Sequence, residues 1–324
     1  DDTWELIVKF HGSADVIRSF LGEAGSFEEL YGFYGIARVP TRLVDAFSAL
    51  DTIEYIEKPK RLYFADIQAN RVSCITQLRT TTNEAGYEEL YLSGAGVLVA
   101  IIDSGIDYTH PDFRNEDGRT RIVELWDQTV GVGASELEAG EGVEASALEA
   151  GSGVSGGVGI GTVFSAAQIN EALTSMGDDI RATVVTAEQR NRAYEIVPSR
   201  DISGHGTVVA GIAAGNGRAS GGLYQGVATH SELLIVKLGI PGETSFPRTT
   251  ELMRAIDFCI RRSVELNKQI AINLSFGNTY GSHVGDSLLE TYIDTVADIG
   301  RNVICIGTGN EGAAGGHAGG VLSD

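Results

Sequence analysis

Three short stretches hold residues whose types and settings could do chemistry. In "VAIIDSGIDYTHPDF", Asp103 ends an apolar run and is followed by Ser104 and Gly105. A carboxylate at the mouth of a buried strand is shielded enough to hold one partner, although such a position also suits a cap or a metal ligand. In "DISGHGTVVAGIAAG", His205 stands between Gly204 and Gly206 at the start of a helix. The glycines allow close approach to a neighbouring backbone. The helix N-terminus disfavours a protonated imidazole, which keeps a histidine there able to act as a base. A structural histidine is the alternative. In "GTGNEG", Asn310 follows an apolar strand, and the glycines beside it leave its amide able to face a ligand. Asn and Gly also make plain turns. An orienting acid, a base and an amide donor are three of the parts that acyl transfer needs; the fourth is a nucleophile.

The rest of the chain supplies the strands and helices on which these three residues stand. Residues 1–66 read as a small separate unit. "WELIVKF" alternates Trp4, Leu6, Val8 and Phe10 onto one face, as a strand does. "SADVIRSFLGEAG" follows as a helix, with Ser13 as N-cap and Gly25 near its stop. "FEELYGFYGIARV" reads as two strands broken near Gly32 and Gly35. "TRLVDAFSAL" is a helix capped by Thr41, and "TIEYIEKPKRLYF" is a last strand with an extended tail. The order β-α-β-β-α-β is the ferredoxin-like split βαβ plan, an α+β unit. Residues 67–96 form a polar connector. From 97 to 324, apolar strands alternate with helices: "GVLVAIID", "HGTVVAGIAAG", "ELLIVKL", "TTELMRAIDFCIRRSVELN", "IAINLSFG", "SLLETYIDTVADIG" and "NVICIGTGN". Alternation of this kind predicts an α/β domain with a parallel sheet and its site at the C-terminal strand ends. The segment 131–159 interrupts the pattern as a Gly/Glu-rich loop insertion. It holds an imperfect tandem repeat, "ASELEAGEGVE" then "ASALEAGSGVS", identical at eight of eleven positions. Two copies cannot make a solenoid, so a duplicated, solvated loop is expected, with a substrate-selecting lid as the alternative.

Composition narrows the function classes. The 324 residues are 43% hydrophobic and 21% charged, enough for a sizeable core. The formal net charge of −20 argues against nucleic acid and anionic membranes as partners, because both demand a basic surface. No run of about 18 apolar residues exists to cross a bilayer. Cys74, Cys259 and Cys305 are too few and too scattered for a disulfide framework or a zinc cluster. Cys259 and Cys305 are expected to be packed thiols. The chain opens "DDTWELIVKF", which fixes no compartment.

Chain order connects the three stretches. Acid, then histidine, then serine is the order of the triad in subtilisin, and an Asn supplies its oxyanion donor. With "DSGIDYTHPDF", "GHGTVVAGIAAG", "NLSFGN" and "GTGNEG", this sequence resembles the subtilisin-like serine proteases. The resemblance spans about 97–316, and residues 1–66 look like the family's inhibitory prodomain. It implies that Asp103 orients His205, that His205 shuttles the nucleophile's proton, and that Asn310 donates to the oxyanion. In subtilisin, losing such a donor costs about 2.7–4 kcal/mol of barrier. It further implies that Leu274, Ser275, Phe276 and Gly277 pair with an extended peptide or protein substrate, with Phe276 walling a pocket or packing in the core. The prodomain would pack on the catalytic domain and lay its tail, near residues 60–68, in the cleft. "RIVELWDQT", "INEAL", "VPSRDISGHGT", "FPRTTELMRAIDF" and "AINLSFGNTYGSH" look like the subtilases of spore-forming clostridia. That branch includes germination-specific proteases, which activate a spore-cortex hydrolase by limited proteolysis, and members without catalytic residues. It points to a spore-associated or secreted setting.

Some family features are missing. Val208 stands where the family has a second histidine, outside the triad. No calcium loop is recognisable; Asp112 alone matches a ligand position, so no metal or other cofactor is expected. The Gly-Thr-Ser-x-Ala-x-Pro that carries the nucleophile does not occur. Thr174, Ser175 and Met176 in "LTSMGDD" precede His205 and lack the leading glycine, and Ser323 lies too close to Asn310. The expectation is the N-terminal part of an active protease, from a truncated chain that is inactive alone. The alternative is a complete, non-catalytic binding or regulatory partner. A nucleotide-binding α/β protein is disfavoured, since neither GxGxxG after the first strand nor GxxxxGK is present.

Overall fold

The structure, a computed structural model, describes residues 2–59, 63–64, 81–82, 88–89, 92–130, 160–177, 181–238, 247–277 and 281–309. Most of the connector, the insertion 131–159, Cys74, Asn310 and Ser323 lie outside these residues.

The first unit contains β1 (Thr3–Phe10), α1 (Ala14–Leu21), β2 (Ser26–Glu29), β3 (Tyr34–Pro40), α2 (Val44–Ser48) and β4 (Ile53–Glu57). Its four strands run antiparallel in the order β2-β3-β1-β4, the split βαβ arrangement. Alternation along β1 divides two cores. Leu6, Val8 and Phe10 pack with Ile17, Leu21 and Phe47 beneath the unit's own helices. Ile7 joins Leu30, Tyr34 and Ile36 on the opposite face, against Tyr292, Leu288 and Val296 of the larger domain. Ser13 caps α1 through Asp15, as expected. Thr41 does not cap α2: its hydroxyl donates to Asp2 O at 2.8 Å, and a short 3₁₀ turn over Thr41–Leu43 precedes the helix.

The larger domain contains β5 (Val97–Asp103), β6 (Ile122–Asp127), β7 (Thr162–Ser165), α3 (Ala166–Ser175), α4 (Ala187–Ile196), α5 (His205–Ala214), β8 (Glu232–Lys237), α6 (Thr249–Glu265), β9 (Gln269–Leu274), α7 (Leu288–Ala297) and β10 (Asn302–Ile306). The strands form one six-stranded sheet, β7-β6-β8-β5-β9-β10. All pairs are parallel except β7 with β6. Helices cover both faces, so β5 reads as a continuous apolar run. Leu98, Ala100 and Ile102 face one core, which includes Leu252, Ile256 and Cys259 of α6. Val99 and Ile101 face the other, with Val209, Ala210 and Ala214 of α5. Asp103 continues the second set, so the pleat itself aims it at α5.

The outer strand β10 differs from expectation. Ile304 packs on the core, but Val303 is 60% exposed and Cys305 is exposed. An apolar run is buried on both faces only where neighbours cover both, and β10 is an edge strand of the sheet among the described residues. Cys259 is fully buried, and burial pushes its thiol pKa well up.

The two units are joined by charge as well as by apolar contact. Arg254 of α6 is 6% exposed and donates to Glu28 Oε2 at 2.6 Å and Glu5 Oε1 at 3.0 Å. Arg248 reaches Glu5 at 2.8 Å. Glu57 accepts from Leu288 N at 2.9 Å, placing a carboxylate at the N-terminus of α7, where it is favoured.

Candidate active site

β5 and α5 place Asp103 and His205 against each other, though they are 102 residues apart in sequence. His205 Nδ1 lies 2.6 Å from Asp103 Oδ1, a short contact as charge-assisted bonds are. Asp103 is fully buried, and the His205 side chain is 11% exposed. Ser104 N also donates to Asp103 Oδ1, at 2.7 Å. An ionised carboxylate only accepts, so Nδ1 is the protonated ring nitrogen and Nε2 is the basic one.

The two glycines beside His205 serve different ends. Gly204 takes φ 75°, a left-handed turn into the helix. Gly206 packs flush on the end of β5: a Cβ there would sit 2.2 Å from Gly105 O and 3.2 Å from Asp103 Cβ. The far end of α5 is pinned by Arg121, which donates to Ala214 O at 2.7 Å and Asp112 O at 3.1 Å. Burial pushes the Arg121 pKa down to about 10, still cationic at neutral pH and suited to a helix C-terminus.

A buried ion pair adjoins the site. Lys237 at the end of β8 is in register with Asp103 on one side and Asp127 on the other, and its Nζ lies 3.2 Å from Asp127 Oδ2. Ser199 donates to the same oxygen at 2.6 Å, anchoring the loop that leads to His205. The sequence reading passed over Lys237, Asp127, Ser199 and Asp201. Only "VPSRDISGHGT", with its hydroxyls and acid just before the histidine, carries a local signal.

The residues 274–277 turn their backbone, not their larger side chains, toward a partner. Leu274 and Phe276 are buried in the core, so Phe276 takes the packing position rather than an open pocket wall. Ser275 accepts from Asn273 Nδ2 at 2.7 Å. Phe276–Gly277 pair antiparallel with Tyr63–Phe64, matching Phe276 to Phe64 and Gly277 to Tyr63. That strand is supplied by the chain itself.

The rejected hydroxyls sit in helical bonding. Thr174 donates to Asn170 O at 2.8 Å and Ser175 to Ala172 O at 2.7 Å. Asp112 accepts from Ala219 N at 2.7 Å. Among the described residues no group of three or more His, Cys, Asp or Glu is placed to hold a metal, and no helix is long and apolar enough to cross a membrane.

The profile of the subtilase family matches residues 94–322. The chain belongs to the subtilase family. Residues 1–60 of this subtilase match the Csp protease B prodomain, which places it in the clostridial branch. Among solved structures it is similar to the CspB protease of Clostridium perfringens at 34% identity, over 66% of this chain and 36% of that one, with a TM-score of 0.49. Fervidolysin of Fervidobacterium pennivorans, a keratinolytic enzyme related to subtilisin, matches at 14% identity over 97% of this chain and 41% of its own, TM-score 0.51. The epidermin leader peptide processing serine protease of Staphylococcus aureus matches at 14% identity over 96% of this chain and 61% of its own, TM-score 0.48. The subtilase chain thus spans 36–61% of the length of these three proteins. Its residues 1–60 match a prodomain family and its residues 94–322 the subtilase family.

Proposed function

We propose that these residues form the acid–base and substrate-binding part of a serine endopeptidase. The observation that carries this reading is the 2.6 Å contact between buried Asp103 and His205 at the C-terminal mouth of a parallel sheet. In this reading His205 Nε2 takes the proton of an attacking serine hydroxyl as the hydroxyl oxygen adds to the peptide carbonyl. The imidazolium so formed is stabilised by Asp103, and it returns the proton to the leaving amine as the C–N bond breaks. Asn310 is the proposed oxyanion donor. Acylation needs a serine in a Gly-Thr-Ser-x-Ala-x-Pro setting, which these residues do not contain.

Support for the substrate reading comes from the strand at Phe276–Gly277. Antiparallel pairing with Tyr63–Phe64 is the strand-addition mode by which an extended peptide is held. We therefore propose that residues 1–66 are an inhibitory prodomain whose tail occupies the substrate's place. We propose further, from the resemblance to the germination-specific branch, that the substrate is a protein precursor cut by limited proteolysis.

The alternative is a binding or regulatory partner that never acylates. Peptide hydrolysis by the protein expressed from its native reading frame separates the two. Asp103→Asn is expected to lower kcat by about 10⁴, as the matching change does in a serine protease. His205→Ala is expected to lower it by about 10⁶, the size seen in subtilisin. Hydrolysis that survives His205→Ala refutes the first reading. Peptide binding without any hydrolysis by the native protein establishes the second.

A further inference from the structure

The helix that carries His205 starts without a capping side chain, because its N-cap is Gly204. The first backbone N–H groups of a helix have no intrahelical acceptor and must find one elsewhere. Here they find it outside the helix. Asp201 Oδ2 accepts from Thr207 N at 2.8 Å and from Thr207 Oγ1 at 2.6 Å. Asp201 Oδ1 accepts from Gly204 N at 3.0 Å and from Ser104 Oγ at 2.8 Å. Ser104 Oγ in turn accepts from Gly206 N at 2.9 Å, and Ser203 Oγ accepts from His205 N at 3.2 Å. Thr207 Oγ1 accepts from Asp107 N at 2.8 Å, adding a second tie to the loop after β5.

One carboxylate therefore bridges two elements. On one side it holds the first turn of α5, which bears His205. On the other it holds Ser104, the residue next to Asp103. We propose that Asp201 is a positioning residue, whose carboxylate clamps the first turn of α5 to the end of β5 and so fixes the His205–Asp103 hydrogen bond; this rests on reading those two residues as the acid–base pair. Charge and geometry act together here. Burial pushes the Asp201 pKa up, but the bonds from Thr207, Ser104 and Gly204 outweigh it and leave the pKa below the usual carboxylate range. The clamp is thus an anion at neutral pH, the form that accepts all these bonds and suits a helix N-terminus. Loss of the clamp leaves α5 resting on its apolar face and on Arg121 at its far end, with its first turn loose.

The test uses the 324-residue chain with ¹⁵N-labelled histidine. An imidazole Nδ1–H held against a carboxylate gives a proton resonance well downfield of the amides, and its exchange with water reports how tightly the bond is kept. Asp103→Asn is expected to abolish the resonance. Asp201→Ala is expected to speed its exchange roughly tenfold or more, the loss of a charge-assisted bond, at a temperature where the fold is intact. Asp201→Asn keeps one carbonyl oxygen and is expected to fall between; it decides the matter should the alanine variant not fold. Tyr108→Phe removes a buried bond to Val197 O, and is expected to lower Tm while leaving the resonance as in the wild type. If Asp201→Asn and Asp201→Ala lower Tm but leave the exchange unchanged, Asp201 is structural only and the proposal is overturned, with the pair intact. If the wild type lacks the resonance, or Asp103→Asn retains it, the acid–base reading itself fails and takes the clamp with it.

Discussion

Gly206→Ala and Gly211→Ala make the same chemical change in one helix and should have opposite effects. At position 206 the new Cβ would meet Gly105 O at 2.2 Å, Gly105 N at 3.1 Å and Asp103 Cβ at 3.2 Å. Two of these are backbone atoms of Gly105, two residues past the end of β5, and not the far end of a flexible side chain, so they cannot simply swing aside. The first turn of α5 must instead withdraw by about 1 Å to reach a tolerable contact, an overpacking strain of about 1–3 kcal/mol. For a domain of this size that is a fall in Tm of roughly 2–12 °C. A withdrawal of that size stretches the 2.6 Å His205–Asp103 contact past hydrogen-bonding range. If the proposed acid–base pair acts in hydrolysis, a displacement of about 1 Å is expected to cost on the order of a hundredfold in kcat. At position 211 an added Cβ meets nothing within 4 Å. There alanine should stabilise the helix by about 0.5–1 kcal/mol, through backbone entropy alone. Calorimetry of the two variants, with the downfield imidazole resonance as second readout, tests the pair. Equal Tm changes of the same sign, or a Gly206→Ala variant with wild-type Tm and resonance, would refute the close-approach argument.

Two further outcomes are expected. Glu5 and Glu28 share Arg254 but should respond oppositely to acid. Burial pushes both pKa values up; for Glu5, Arg254 and Arg248 outweigh it and the value falls below 4.5, whereas for Glu28 the rise above 4.5 survives. Ionised Glu5 therefore stabilises the fold fully above pH 4.5 and progressively less below it, so Glu5→Gln should flatten the acid limb of a Tm-versus-pH curve. Ionised Glu28 carries a penalty that is absent below pH 4.5 and grows as pH rises through its folded pKa, so Glu28→Gln should gain on the wild type toward neutral pH. Matching pH profiles for the two variants would contradict this assignment. Second, the chain of these residues, without a Gly-Thr-Ser motif, should stay joined between residues 60 and 70. Intact-mass measurement with protease inhibitors present checks this, and a spontaneous break there would defeat it.

Much of the architecture was legible in the chain. Period-2 alternation marked β1, the unbroken apolar run marked β5, and the stretch from His205 to Ala214 read as a helix because these patterns are local. The candidate acid and base were visible too, since glycines and an apolar strand end frame them within a few residues. Asn310 remains a sequence expectation, because it lies outside the described residues. What tertiary structure decided was pairing between distant segments. Sheet order set β8 between β6 and β5, bringing Lys237 beside both Asp127 and Asp103. The cap of α5 could not be read at its usual position, because Gly204 fills it and Asp201 reaches in from three residues earlier; the acid in "VPSRDISGHGT" was its one local trace. The inward turn of Phe276 and the exposure of Cys305 followed from which faces have neighbours. A sequence pattern states that a side chain is apolar or charged and how often it recurs; which face is covered, and by what, depends on how the strands are ordered in space.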